Sequence, residues 1–521
     1  MKTIKQSYKV AAVQFEPILG EVQRNRDKML EKAIEAAENG AKLIVFPEMA
    51  TSGYVWENRQ EIAPYVETIP GKSTDLLLKV TAKYSCYIVF GLPEVDDPTG
   101  SYYNSAVLIG PKGVVGRYRK THLFAADPRW AREGKEEIPV FQTSIGRIAL
   151  LICMDAMYFE PTRLAALNGA DIVAFPTNWV GTQNNPPSNT WRLRAKENGL
   201  YWVASNRWGM ERGAQFTGGS GIISPTGEVI EQLVSGEGIV YGEYQLPNNI
   251  KAEIVSKRKP QAYHEILLHP YLWKEGETRS VLLTEAFVVS SLAIDSKLSL
   301  KESKEQITYY LRTMNTKIKN RLFVLPELSC NNHFELTNFL IEAAQQFDSH
   351  IVVTIEDGQK VCFVIGPQGI LSHYIQVHSN NASSKGSFLT VQLPFARVGV
   401  LTGEDAEFPE SYRILSKQGA DIIAISANKK TTAEPWMYKI WAYENDALLA
   451  VSSPRHSIKS MIFLHSQVFI NSKEIESHYL SQSFTLDMFQ KVKRRPFLSR
   501  LNHHLYDRIV ELTNTKAGVP S

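Results

Sequence analysis

Residues 146–160 read GRIALLICMDAMYFE, and the organisation of the whole chain follows from them. The apolar, β-branched run from Ile148 to Ile152 has the length of a strand. It stops at Cys153, after which the pattern turns helical, with Pro161 suited to a first helical turn. A thiol therefore stands where a strand gives way to a helix. Backbone N–H groups at a helix start are unpaired and favour negative charge, so a thiolate, or an oxyanion beside it, would be stabilised there. Taken alone, the stretch admits a second reading in which Cys153 is a small buried apolar residue, as free cysteines often are.

The chain has 521 residues, too many for one ordinary core, and at roughly 150 residues per domain two to four units are expected. A hydrophobic content of 44% with 21% charged residues is that of a globular protein, and a net charge of +3 gives no electrostatic footprint for nucleic acid or an anionic membrane. Cys86, Cys153, Cys330 and Cys362 follow neither a CxxC nor a zinc-finger spacing, so no disulfide framework and no metal site are expected. The opening MKTIKQSYKV has no apolar signal core, and no run approaches the ~20 apolar residues of a membrane span. The expectation is a cytoplasmic, soluble protein.

Upstream of Cys153, YKVAAVQF (8–15) reads as a buried strand, residues 22–38 as a helix stopped by Asn39-Gly40, and AKLIVFP (41–47) as a second strand that runs into Glu48. A carboxylate at the end of an apolar strand is costly unless partnered. A helix over 73–84, a strand YIVFGLPE (87–94) and a hairpin SAVLIGPKGVVGRYRKTH (105–122) follow, the last delivering Lys120. Glu48, Lys120 and Cys153 thus fall at or near strand ends, where open α/β sheets assemble their sites. A carboxylate, an ammonium and a thiol suffice for acyl transfer, with no metal or organic cofactor: one takes the thiol proton, one stabilises the tetrahedral oxyanion and one attacks the carbonyl.

The segments IVFPEMATSGY (44–54), GRYRKTHLF (116–124) and ALLICMDAMYFEPTRLAALNGADIVAFPTNW (149–179) resemble, in order and approximate spacing, the three catalytic motifs of the nitrilase, or carbon–nitrogen hydrolase, superfamily. The resemblance extends over roughly residues 8 to 270 and implies an α-β-β-α sandwich. It implies Cys153 as nucleophile, Glu48 as general base and then acid, and Lys120 as the cation supporting the tetrahedral intermediate, with the Met154 backbone N–H helping to hold the oxyanion. Tyr54, Asn178 and Trp179 would line the pocket. Where many members carry a second glutamate after the lysine motif, this chain has Asp127, shorter by one methylene. His122 reads as a structural hydrogen-bonding group. The run Cys153-Met154-Asp155 and the passage LRAKENGLYWVASNRWGMERG (193–213) are closer to the amidase and carbamoylase branches than to true nitrilases.

The second half repeats the first. AVLIGPKGVVGRYRKTH (106–122) aligns without gaps on CFVIGPQGILSHYIQVH (362–378), RIALLICMDA (147–156) on RVGVLTGEDA (397–406), NGADIVAFPTN (168–178) on QGADIIAISAN (418–428), IVFPEM (44–49) on FVLPEL (323–328), and KRKP (257–260) on KRRP (493–496). In that register Glu48 is kept as Glu327, Lys120 becomes Gln376 and Cys153 becomes Gly403, so the covalent chemistry is lost from the second copy. Glu404 and Asp405 read as solvated or structural carboxylates.

The expected architecture is two tandem domains, 1–275 competent and 280–521 degenerate, with the boundary near 272–280, packed as an intrachain pseudo-dimer, with a higher homo-oligomer left open. The expected activity is thiol-dependent hydrolysis of a small-molecule amide or N-carbamoyl substrate through a Cys153 thioester. Acyl transfer from the same thioester, nitrile hydrolysis and a non-catalytic binding or regulatory role are the alternatives.

Overall fold

The opening strand β1 (Gln6–Gln14) is buried from Val10 onward because it has a partner on either side. The computed structural model describes residues 6–180, 188–270, 286–295, 297–314, 317–330, 332–356, 358–379, 386–454, 460–464, 467–471, 479–484 and 497–512. The chain divides into two compact units, Met1–Lys257 and Arg258–Ser521.

In the first unit β1 pairs in parallel with β2 (Leu43–Val45), and β2 with β3 (Tyr87–Asp96). The antiparallel hairpin β4 (Ser101–Gly110) and β5 (Gly113–Arg119) extends one edge. In the second sheet β6 (Val140–Thr143) pairs antiparallel with β7 (Gly146–Leu150), which is followed by the parallel strands β8 (Ile172–Thr177) and β9 (Tyr201–Asn206). A two-stranded ribbon, β10 (Trp208–Glu211) and β11 (Ala214–Thr217), precedes β12 (Ser220–Ile223) and β13 (Val229–Leu233), which complete that sheet. Strand β14 (Gly238–Leu246) returns to pair antiparallel with β1.

The sheets face each other, β1 against β9 and β3 against β8. The helices Val22–Glu38 and Lys72–Tyr84 cover the first sheet, burying Met29, Ala33, Ala36, Leu77 and Val80 against Ile44, Phe46, Ile88 and Phe90. The helices Phe159–Leu167 and Asn189–Asn198 pack on each other and, through the latter, on β9 and β12 of the second sheet. This is the expected α-β-β-α order, and the central parallel strands are buried on both faces, so they read as continuous apolar runs.

The second unit has the same topology. Phe287–Leu292, Asn320–Val324 and His350–Glu356 are its central parallel strands, flanked by Tyr479–Phe484 and by the hairpin Lys360–Gly366 and Gly369–Ile375. Its other sheet runs Thr390–Gln392, Arg397–Thr402, Ile422–Ser426, Leu448–Ser452, Met461–Leu464, Gln467–Asn471. The repeat reaches the backbone. The hairpin register shifts between Leu108 and Ile109 in one unit and between Val364 and Ile365 in the other, and Gly113 and Gly369 both take positive φ. These pairs stand at equivalent places in the gapless alignment of the sequence.

Residues 258–268, which the sequence reading assigns to the first domain, pack within the second unit. Arg258 Nε donates to Glu410 Oε1 at 2.9 Å, Tyr263 Oη lies 2.6 Å from His378 Nε2, and Lys417 Nζ donates to the Ile266 carbonyl. Residues 272–280, KRRP at 493–496 and residues 181–187 lie outside the described residues.

Gly91 of β3 shows how the fold places Glu48. Its N–H donates to the Pro47 carbonyl (3.1 Å) and its carbonyl accepts from Ala50 N–H (2.8 Å). A Cβ at residue 91 would stand 2.6 Å from both Glu48 Cα and Met49 N. Met49 itself is held at φ +52°. Gly91→Ala is expected to destabilise the protein by about 1–3 kcal/mol through overpacking, read as a lower denaturant midpoint, with Glu48 displaced.

Candidate active site

The first-unit site is built at the carboxyl ends of β2, β5, β7 and β8. Glu48 follows β2 after Phe46 and Pro47, Lys120 directly follows β5, Cys153 follows β7 after Leu151 and Ile152, and Asn178 directly follows β8. Glu48, Lys120 and Asp127 are all buried. Lys120 Nζ donates to Glu48 Oε1 and to Asp127 Oδ2, each at 2.7 Å. Asp127, the position where the sequence departs from the resembling family, therefore reaches the lysine. Its Oδ2 also accepts from the Phe124 N–H at 2.9 Å.

Asn104, which the sequence reading passed over, ties the two carboxylates together. Its Nδ2 donates to Glu48 Oε1 at 2.7 Å and to Asp127 Oδ1 at 3.1 Å. The signal available was an amide in the otherwise buried half of a strand, a place where a polar side chain needs partners. Glu48 Oε2 accepts from the Asn178 backbone N–H at 2.9 Å, which leaves the Asn178 side chain free: neither its Oδ1 nor its Nδ2 has a partner, although the residue is buried.

Cys153 is 5% exposed and opens a 3-10 turn, Cys153–Met157, at φ +43°. This left-handed backbone is uncommon for a residue with a Cβ and carries strain of about 1–3 kcal/mol. The first hydrogen bond of the turn runs from Asp155 N–H to the Ile152 carbonyl (3.0 Å), so the Met154 amide precedes the turn's own bonding. Asp155 anchors the turn. Its Oδ2 accepts from Ile152 N–H and Tyr118 Oη, both 2.9 Å, and its Oδ1 from Thr121 Oγ1 and His122 N–H, both 3.1 Å. His122 Nδ1 lies 3.0 Å from the same oxygen and its ring stacks on Tyr158 at 4.2 Å. His122 is thus engaged by Asp155, the structural place the sequence reading gave it.

The electrostatics follow from burial. Burial pushes the Cys153 thiol well above its ordinary range, the Glu48 carboxylate adds to that, and the Lys120 ammonium opposes it. Burial raises Glu48 as well, against the Lys120 charge. For Lys120 burial alone would lower the pKa, but the Asp127 and Glu48 carboxylates outweigh it and hold the ammonium charged.

Of the remaining pocket candidates, Tyr54 is buried with its ring 5.9 Å from Lys120 Nζ and its hydroxyl unpartnered. Its backbone is held by Glu211 Oε1, which accepts from Tyr54 N–H at 2.8 Å and Val55 N–H at 2.5 Å. Trp179 is half-buried; its N–H donates to Asn206 Oδ1 at 2.8 Å and its ring packs edge-on against Trp191. Among the described residues the Trp179 ring meets Trp191 and makes no ring contact with Glu48, Lys120 or Asp127. Among the described residues no His, Cys, Asp and Glu group is arranged to hold a metal ion, and no helix is long and apolar enough to cross a membrane.

The chain matches the carbon-nitrogen hydrolase family twice, over residues 9–251 and 307–469. It is 38% identical over 223 residues to a nitrilase of Pyrococcus abyssi, the match covering 43% of this chain and 83% of that protein. It is 31% identical to an (R)-stereoselective amidase of a Pseudomonas species, over 43% of this chain and 79% of the relative. It is 32% identical to the omega-amidase NIT2 of Homo sapiens, over 41% and 79%. Among solved structures, an amidase of Nesterenkonia sp. AN1 aligns at 26% identity with a TM-score of 0.43, over 47% of this chain and 95% of that one. With both halves of the chain matched, the protein belongs to the carbon–nitrogen hydrolase family, as a tandem duplication of its fold.

Proposed function

We propose that the first unit hydrolyses a linear amide or N-carbamoyl substrate through a thioester at Cys153, and that the second unit is catalytically inert. The observation that carries this reading is the buried chain Glu48–Lys120–Asp127, two 2.7 Å ion pairs, with the Glu48 and Lys120 charges acting on the buried Cys153 thiol. Glu48 takes the thiol proton as sulfur attacks the carbonyl carbon. The resulting oxyanion is met by the Lys120 charge and the Met154 amide. Glu48 returns the proton to the leaving nitrogen, the C–N bond breaks, and ammonia or an amine departs from the thioester. Water then attacks as Glu48 takes its proton, the C–S bond breaks, and the thiol is restored. The Asn178 amide and the Tyr54 hydroxyl, buried and unpartnered, supply donors and acceptors for the substrate.

The amide or carbamoyl preference rests on the Cys153-Met154-Asp155 run and on the kinship with amidases. Intact-mass measurement over amide, N-carbamoyl and nitrile panels tests it. An acyl adduct on Cys153 with amides or carbamoyl compounds, and its loss in Cys153→Ala together with a fall in turnover on the order of 10⁴-fold, is the expected outcome. Turnover of nitriles alone would overturn it.

Asp127→Asn removes one of the two carboxylates that position Lys120. It is expected to lower kcat/KM by about 10–100-fold while Cys153 remains alkylatable.

The pH dependence follows from Glu48. Activity needs its carboxylate form, and burial raises its pKa in the folded protein. Activity is therefore present above that raised pKa and falls as pH drops through it, so the acidic limb of kcat/KM is expected above the ordinary glutamate value of about 4.3. A limb at or below that value would remove Glu48 from the role of base.

A further inference from the structure

The second unit has not merely lost the first unit's site; it holds a different one in the same place. In the gapless hairpin register Lys360 stands where Asn104 stands and Gln376 where Lys120 stands. In the register of the strand ends Gly403 and Glu404 replace Cys153 and Met154, while the asparagine Asn178 is kept as Asn428. The room for a thiol is gone, since a Cβ on Gly403 would lie 2.6 Å from Thr431 Oγ1 and 3.0 Å from Asn428 N. The strained backbone is gone too, for Gly403 lies outside the left-handed region that Cys153 occupies. Gln376 Nε2 donates to the His378 carbonyl at 2.9 Å.

An ammonium nevertheless returns from the neighbouring strand. Lys360 Nζ lies 3.0 Å from Glu327 Oε2 and 2.5 Å from Glu404 Oε1. Asn428 Nδ2 donates to Glu327 Oε2 at 3.1 Å and to Glu404 Oε2 at 2.9 Å. A site that had decayed for want of use would be expected to fill with apolar side chains, because a sequestered charge is costly. Here Glu327, Lys360 and Asn428 instead line an open cavity of about 320 Å³.

The charges of the wall say what fits. The Lys360 ammonium is already shared by two carboxylates, so the inner end carries an excess of negative charge, and Asp295 and Glu356 add two more carboxylates to the lining. The exposed Lys429 and Lys430 supply positive charge to the lining. We propose that this cavity binds, without turnover, a small molecule carrying both a primary ammonium and a carboxylate: a free amino acid. The ammonium sits against Glu327 and its acidic neighbours, and the carboxylate meets Lys429 and Lys430. Burial raises the Glu327 pKa, and a cation bound beside it would favour its charged form.

The test is calorimetric titration of the full-length Cys153→Ala protein with glycine, β-alanine and γ-aminobutyrate, with methylammonium and acetate as single-charge probes. Saturable binding of a zwitterion at one site, at least about tenfold tighter than either single-charge probe, is expected. Glu327→Gln should weaken it about tenfold or more, and so should the surface double variant Lys429→Met/Lys430→Met, whose folding is not at stake. Glu48→Gln, in the first unit, should leave it unchanged. Absence of saturable binding by every zwitterion, equal binding of methylammonium, or indifference to Lys429→Met/Lys430→Met would each overturn the proposal. None of these outcomes bears on hydrolysis at Cys153.

Discussion

The Lys120 ammonium, held at 2.7 Å from two buried carboxylates, is the constraint on which the first-unit site depends. Three charges out of water are expensive, and a buried pair is stable only when its remaining lone pairs and protons are also satisfied. The surrounding chain meets that condition. The Asn104 amide bridges both carboxylates, the Asn178 and Phe124 N–H groups each donate to one of them, and the sandwich excludes water. Burial first, then the Glu48 carboxylate, raises the Cys153 thiol above its ordinary range against the opposing Lys120 charge, so the thiol rests protonated. Such a thiol is no standing nucleophile. It needs a base within the site and a substrate in place, which confines reactivity to the bound complex.

Asp155 sets the nucleophile against that cluster. It accepts from Tyr118 on β5, from Thr121 and His122 just beyond Lys120, and from Ile152 just before Cys153, so one carboxylate joins the strand end bearing the lysine to the turn bearing the thiol. The second unit keeps this device. Asp405 accepts from Tyr374 Oη, Val377 N–H and His378 N–H, and the His378 ring stacks on Phe408 as that of His122 stacks on Tyr158. Asp405, read from sequence as solvated or structural, is structural. Glu404, partly exposed, is held by an ion pair to Lys360 and by the Asn428 amide.

The sequence disclosed the fold through the length and apolarity of its strands and disclosed the duplication through gapless repeats, because both are written in contiguous residues. Glu48, Lys120 and Cys153 were legible for the same reason, each lying where a strand run stops. Asn104 and Asp155 were less so. Asn104 acts across the fold on a residue 56 positions away, and Asp155 on residues over 30 positions away, and only the paired sheets bring those partners together. Lys360 was invisible for a further reason. The alignment compares like positions, whereas the charge that replaces Lys120 comes from the position of Asn104 on the adjacent strand.

That displacement separates scaffold from chemistry. The bulged hairpin, the Asp–Tyr–His anchor and the two facing sheets are common to both units, so they are what the fold requires. The thiol and its left-handed backbone occur only in the first unit. A glycine could adopt that conformation without the cost a cysteine bears, yet Gly403 does not adopt it. The strain at Cys153 is therefore not imposed by the strand-to-helix turn; it accompanies the thiol, as strain held at a reactive site does. Where the nucleophile is absent the turn is unstrained, the space for sulfur is filled, and an ion-paired cavity with charged lining stands nearby.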